Sequence, residues 1–174
     1  MLARILFTEY NCIYQELPTR APQEGLVHWK IIDGGLTQDL FAEFLSELSV
    51  LFPEHMTVVF DNARAHLNPP ALGEGQDHKH LSPYSPFLNM AEQSISVVKA
   101  DLKRRISSPA VQGEIQNRQA AIESGSTLSP WRKNILRREI EAAIPAMTKE
   151  KAFAQFMHTL TYATKCLSLQ DIWN

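Results

Sequence analysis

The order of patterns along the chain predicts an α/β fold, a strand-first mixed sheet with helices packed on it. Three observations carry that expectation. Residues 57–60 (TVVF) form a short continuous apolar run, the pattern of a strand buried on both faces. An alternating segment and then a helical segment lie directly before it. Beyond residue 90 the apolar residues recur at helical spacing, with prolines marking the breaks.

Each element follows from its residues. Residues 4–17 (RILFTEYNCIYQEL) are rich in β-branched and aromatic side chains and read as one long strand, or as two with a tight turn near Asn11. Residues 18–25 are a loop. Residues 26–32 (LVHWKII) alternate and read as a strand ending at the turn Asp33-Gly34-Gly35. Thr37 is placed to cap a helix, with Asp39 in its first turn. Phe41, Phe44, Leu45, Leu48 and Phe52 lie on one face of that helix; Glu43 and Glu47 lie on the other, and Pro53 stops it. Residues 68–77 hold too much Pro and Gly for a regular element. Residues 78–81 read as a short strand, and 82–89 (SPYSPFLN) are held extended by their prolines. From Met90 to Ile106 the stripe Ala91, Ile95, Val98, Leu102 and Ile106 predicts a helix. Three further helical pieces are expected at roughly 110–123, 130–144 and 149–164.

The chain has 174 residues, room for one sizeable core, and its 44% hydrophobic and 21% charged residues are those of an ordinary globular protein. That excludes a disordered chain and a coiled coil. No apolar run approaches the roughly 18 residues of a membrane span, so no membrane partner is expected. Residues 1–20 lack a small-residue cleavage site after an apolar stretch, so no secretory leader is read. Cys12 and Cys166 are too far apart in sequence for a metal motif and form no disulfide framework, which suggests a reducing compartment. Each reads as a buried apolar residue, with a reactive thiol as the alternative.

Charge divides the chain. Residues 1–92 hold 12 acidic and 5 basic side chains, net −7, whereas residues 93–140 hold 9 basic and 4 acidic, net +5. The basic segment carries Lys99, Lys103, Arg104, Arg105, Arg132, Lys133, Arg137 and Arg138. Such an asymmetry fits either a nucleic-acid-facing segment beside an acidic pocket or two solvated faces of opposite sign. On the C-terminal helix Phe153, Phe156, Met157 and Leu160 read as core, or as a face for a second copy.

The residues suited to chemistry are acidic. Asp61 follows the buried strand directly, and ligands bind outside the carboxyl ends of such strands; it also reads as a turn former with Asn62. Glu92 lies in the first turn of a helix, where an acid also complements the dipole. On that helix Glu92, Ser96, Lys99 and Lys103 share a face apart from the apolar stripe, with Arg104 and Arg105 close behind.

Taken together, Asp61-Asn62-x-x-x-His66 and Leu81-x-Pro83-Tyr84-Ser85-Pro86-x-Leu88-Asn89-x-x-Glu92, with 30 residues between the two acids, are not generic. This arrangement resembles the catalytic domain of the mariner superfamily of cut-and-paste DNA transposases, of DDE type. The resemblance covers residues 24–107, including Gly34-Gly35 and Phe41-x-x-Phe44-Leu45. It implies an RNase H-like mixed sheet flanked by helices over residues 1–107, and a C-terminal helical extension over 108–174. It further implies a two-metal endonuclease and strand-transfer site holding Mg²⁺ (or Mn²⁺). There Asp61 and Glu92 would be catalytic metal ligands, supported by Asn62, His66, Tyr84 and Asn89. Lys99, Lys103, Arg104 and Arg105 would contact double-stranded DNA at transposon ends. An intracellular location, nuclear or cytoplasmic, and a homodimer on paired DNA ends are also expected.

The sequence departs from that pattern. Ser82 stands where the family has Pro, and Met90-Ala91 where it often has Pro-Ile. The first of the three carboxylates sits on a strand that this chain is expected to begin too late to hold; Glu9, in ILFTEY, is the early acid that could substitute, and otherwise reads as an exposed strand residue. Without that strand an unpaired sheet edge is expected, favouring self-association. Little or no strand cleavage is therefore expected, and a non-catalytic DNA-binding or protein-interaction module is the alternative.

Overall fold

The computed structural model describes residues 3–9, 26–53, 56–83, 85 and 88–167. The architecture is mixed α/β. Strands β1 (Ala3–Glu9) and β2 (Leu26–Asp33) precede helix α1 (Gln38–Leu51), strand β3 (Met56–Phe60) and strand β4 (Gln76–His80). Helices α2 (Met90–Ile106), α3 (Pro109–Gln116), α4 (Arg118–Glu123), α5 (Leu128–Ala143) and α6 (Lys149–Leu167) follow. Two compact units result, one from residues 1–94 with 148–174 and one from residues 95–147.

The expected single mixed sheet is replaced, among the described residues, by two separate pairs. β1 and β2 are antiparallel, with Ile5 opposite Ile31 and a register shift between Thr8 and Glu9. β3 and β4 are parallel, with Val58 opposite His78 and Phe60 opposite His80. β2 meets α1 through side chains. Lys30 Nζ bonds Glu43 Oε1 and Glu47 Oε1, both at 2.8 Å. His28 Nε2 lies 3.0 Å from Glu47 Oε2, and its ring stacks on Phe44 at 4.8 Å. Glu43 and Glu47, expected to face away, are thus drawn to the strand. The Lys30 ammonium beside it holds the Glu47 carboxyl below its ordinary range.

α1 forms as its sequence dictates. The Thr37 hydroxyl accepts from the Leu40 amide at 3.3 Å, capping the first turn. Gly34, in the turn before it, has φ +93°, a conformation side chains with a Cβ rarely adopt. Phe41, Leu45 and Leu48 from α1 pack with Met56, Val58 and Phe60 from β3 to make the core, flanked by Leu36, Phe52 and Leu72. β3 is buried at alternate residues, with Thr57 and Val59 only half-buried. The strand expected to be covered on both faces is fully covered on one, the face α1 packs against.

The carboxyl end of α1 is closed from a distance. Gln76, the first residue of β4, donates from Nε2 to the carbonyls of Ser49 at 3.1 Å and Phe52 at 2.7 Å. Its Oε1 accepts from the Gly73 amide at 3.0 Å and from the Ser49 hydroxyl. A Cβ on Gly73 would lie 3.2 Å from that Oε1, so a larger residue there would push the Gln76 amide by a few tenths of an ångström.

α2 matches its expected span, but Met90, Ser94 and Val98 are its buried line, while Ala91, Ile95, Leu102 and Ile106 are half-buried. Ser94 is satisfied by Gln155 of α6 at 2.6 Å. The helix expected at 110–123 is two, because Asn117 turns the chain: its amide bonds the Glu114 carbonyl at 3.2 Å and its Oδ1 caps α4 at the Ala120 amide, 3.0 Å. α5 begins two residues before Pro130, which falls in the first turn, where no amide hydrogen is required. Ile135, Ile140, Ala143, Ile144 and Met147 are buried in this helical unit together with one acid, Glu139. Glu139 accepts from Arg138 Nε at 3.0 Å, and Arg138 forms a fork on Glu114 at 2.8 and 2.7 Å. Phe153 and Met157, read as core, are instead 40% and 48% exposed. No helix among the described residues is long and apolar enough to cross a membrane. Residues 10–17, with Asn11 and Cys12, and the side chain of Cys166 lie outside what is described.

Candidate functional site

The site is built at the carboxyl ends of the parallel pair. The apolar side chains of β3 anchor it in the core, so the next residue emerges at the sheet's end. Asp61 does so, with 45% of its side chain exposed. Its Oδ1 accepts from the Ala63 amide at 3.0 Å, a local turn typical of aspartate. That turn leads into a short 3₁₀ turn, Arg64–His66. His66 there returns its ring to Asp61, and Nδ1 donates to the carboxylate Oδ1 at 2.8 Å. The ring is 14% exposed and packs on Phe41 at 4.2 Å and Phe60 at 5.5 Å between centroids. His66 therefore fixes the rotamer of Asp61 and is itself fixed by the core. One carboxylate oxygen is committed; Oδ2 has no hydrogen-bond partner among the described residues.

Asn62 serves the neighbouring strand. Its Nδ2 donates to the Leu81 carbonyl at 2.7 Å, while the Leu81 amide bonds the Phe60 carbonyl at 2.9 Å. The segment from β4 toward α2 thus leaves beside Asp61. It ends in a turn, Leu88 amide to Ser85 carbonyl at 3.0 Å, and α2 opens with the Glu92 amide on the Asn89 carbonyl at 3.3 Å. Asn89 is half-buried and Glu92 exposed. Tyr84 lies outside the described residues.

Asp61 and His66 therefore form a hydrogen-bonded pair, and Asn62, next in the chain, is bonded separately to Leu81. Glu92 forms no hydrogen bond to any of them among the described residues. Nor do any three His, Cys, Asp or Glu side chains among them converge on a point that could hold a metal ion. Oxygen donors of the kind a hard divalent cation takes are present in Asp61 and Glu92; no third carboxylate joins them among the described residues.

On α2 Lys99 and Lys103 are exposed and make no ion pair among the described residues. Arg104 and Arg105 are not equivalent to them. Asp101, which the sequence reading did not single out, accepts from Arg104 and from Arg105 Nε at 2.5 Å. These guanidiniums hold the Asp101 carboxyl below its ordinary range, Arg104 foremost. The three- and four-residue spacing was the available signal.

Comparison with known families, with curated proteins and with solved structures finds no match to this chain.

Proposed function

We propose that this chain is a DNA-processing domain of cut-and-paste transposase ancestry, with an RNase H-like origin, that holds duplex DNA without cutting it. One observation carries the reading: the two halves of the motif meet in space, Asn62 of the first half bonding Leu81 of the second at 2.7 Å. The parallel pairing of β3 and β4 brings these two segments side by side, and the Asn62 bond fixes them there. On this reading the Asp61 carboxylate, held by His66, would be the second acid of the DDE pattern.

Asp61 Oδ2 and Glu92 are the residues that would hold Mg²⁺ (or Mn²⁺). Two such ions, when bound, stabilise the attacking and leaving oxygens of a phosphate in line. Two carboxylates leave the charge of two ions poorly compensated, so turnover is not expected. Lys99 and Lys103 would meet phosphates directly; Arg104 and Arg105 would first have to leave Asp101. The same ancestry supports a nuclear site of action and pairing of two copies on DNA ends.

The test is duplex binding across a salt series, with cleavage assayed in Mg²⁺ and Mn²⁺. Binding is expected to weaken steeply with salt, and replacing both Lys99 and Lys103 by Ala should reduce the log–log slope by about 2. Affinity indifferent to salt and to that replacement would sink the DNA reading. Multiple turnovers abolished by Asp61→Asn would overturn the non-cutting part.

A further inference from the structure

We propose that β4 carries a site for a borderline transition-metal ion such as Zn²⁺, held by the imidazoles of His78 and His80. The site neighbours the acidic group across Phe60 but uses different side chains, and it does not rest on the proposed DNA role.

Residues two apart on a strand project from the same face. His78 and His80 obey that rule: both rings lie against Phe60, at 5.9 Å stacked and 4.7 Å edge-on between centroids. Phe60 is a core residue, only 8% exposed, so it is a fixed wall for both. The two imidazoles stand 6.4 Å apart at 83° to one another. Two imidazoles on one tetrahedral ion, with metal–nitrogen bonds of about 2.0–2.1 Å, bring ring centroids to about 5 Å. The remaining gap is closed by rotation of His80, which is exposed.

The ring nitrogens are available. No hydrogen bond or ion pair engages either imidazole among the described residues. His66, the third imidazole on Phe60, differs, because its Nδ1 is committed to Asp61 at 2.8 Å. Neutral imidazole suits Zn²⁺, Cu²⁺ and Ni²⁺ and is a poor ligand for Mg²⁺, which takes oxygen. Lys79, between the two, projects to the opposite face, which keeps its charge off the ion. Two protein ligands leave further positions to water, so the site is an open one.

Titration calorimetry with zinc chloride on the full chain tests this, with magnesium chloride alongside. Saturable Zn²⁺ uptake is expected, with none of that heat from Mg²⁺. His80→Ala, at an exposed position, should fold normally by circular dichroism and weaken Zn²⁺ binding by about tenfold or more, since loss of a ligand exceeds the 10–100-fold cost of losing a supporting partner. His158→Ala, a histidine on α6, should bind as the parent does. Absence of saturable uptake, or uptake equal in the parent and His80→Ala, overturns the proposal.

Discussion

The two units of this chain are stabilised by different means. In the first, residues 1–94 with 148–174, the core is apolar and aromatic: Phe41, Leu45, Leu48, Met56, Val58 and Phe60 interlock, with Leu45 and Leu48 wholly buried. The second, residues 95–147, buries smaller aliphatic side chains and no aromatic ring. Beside that smaller core, polar contacts tie its helices together: the Arg138 fork on Glu114, Trp131 Nε1 on the Glu114 carbonyl at 3.0 Å, and the Asn117 cap. Short helices cannot bury enough surface to hold themselves, and side-chain hydrogen bonds supply part of the difference. The candidate acidic group stands on the apolar unit, where a packed floor can fix a carboxylate and a histidine within a narrow range of positions.

The contrast is breakable by substitution. Leu45→Ala should have the largest effect, a loss of about 2–5 kcal/mol, because a cavity opens in a region that cannot collapse. Urea denaturation followed by circular dichroism reads it. Arg138→Ala comes next, at about 1–2 kcal/mol. It leaves Glu139 buried with one partner fewer, but Arg138 is itself half exposed, so water replaces part of what is lost. If it costs as much as Leu45→Ala, the two units are not held by different means. Asn117→Ala should cost about 1 kcal/mol, the value of a helix cap, and show as lost helix signal rather than as a loosened core.

Acid should act on both units, and most gently. The Glu114 carboxyl is lowered from 4.5 by the Arg138 guanidinium beside it, and Asp101 is lowered from 3.8 by Arg104 and Arg105. A group lowered on folding contributes stability above its ordinary value, and that contribution disappears as pH falls through the folded value. Glu47 behaves likewise toward Lys30. Lys30 is raised from 10.5 by Glu43 and then Glu47, so its share is present below that pH and is lost only as pH rises through the raised value. Thermal midpoints should therefore fall below about pH 4, and Glu114→Gln should blunt that fall.

Much of this was readable from local pattern. The span of α2, the Thr37 cap and the exposed Asp61 at the end of β3 follow from spacing and turn chemistry, which act over a few residues. What was not readable depends on residues far apart in sequence. Nothing local announces that Glu43 and Glu47 turn toward Lys30, or that β2 meets α1 rather than β3. The Asn117 break was missed because Asn is tolerated inside a helical pattern and becomes a cap only when the chain bends there. Within the candidate site, the link from Asp61 to His66 spans five residues, and the motif named both residues without pairing them. The bond from Asn62 to Leu81 spans 19 positions and was not anticipated.

The Gln76 amide has a bearing on which exchanges the fold tolerates. Its two N–H groups meet the Ser49 and Phe52 carbonyls at the negative end of α1. A glutamate has the same shape and cannot donate; ionised, it would set a carboxylate oxygen against those carbonyl oxygens. Here the isosteric exchange is the more damaging one, and a plain truncation to alanine, which lets water reach the carbonyls, is the milder.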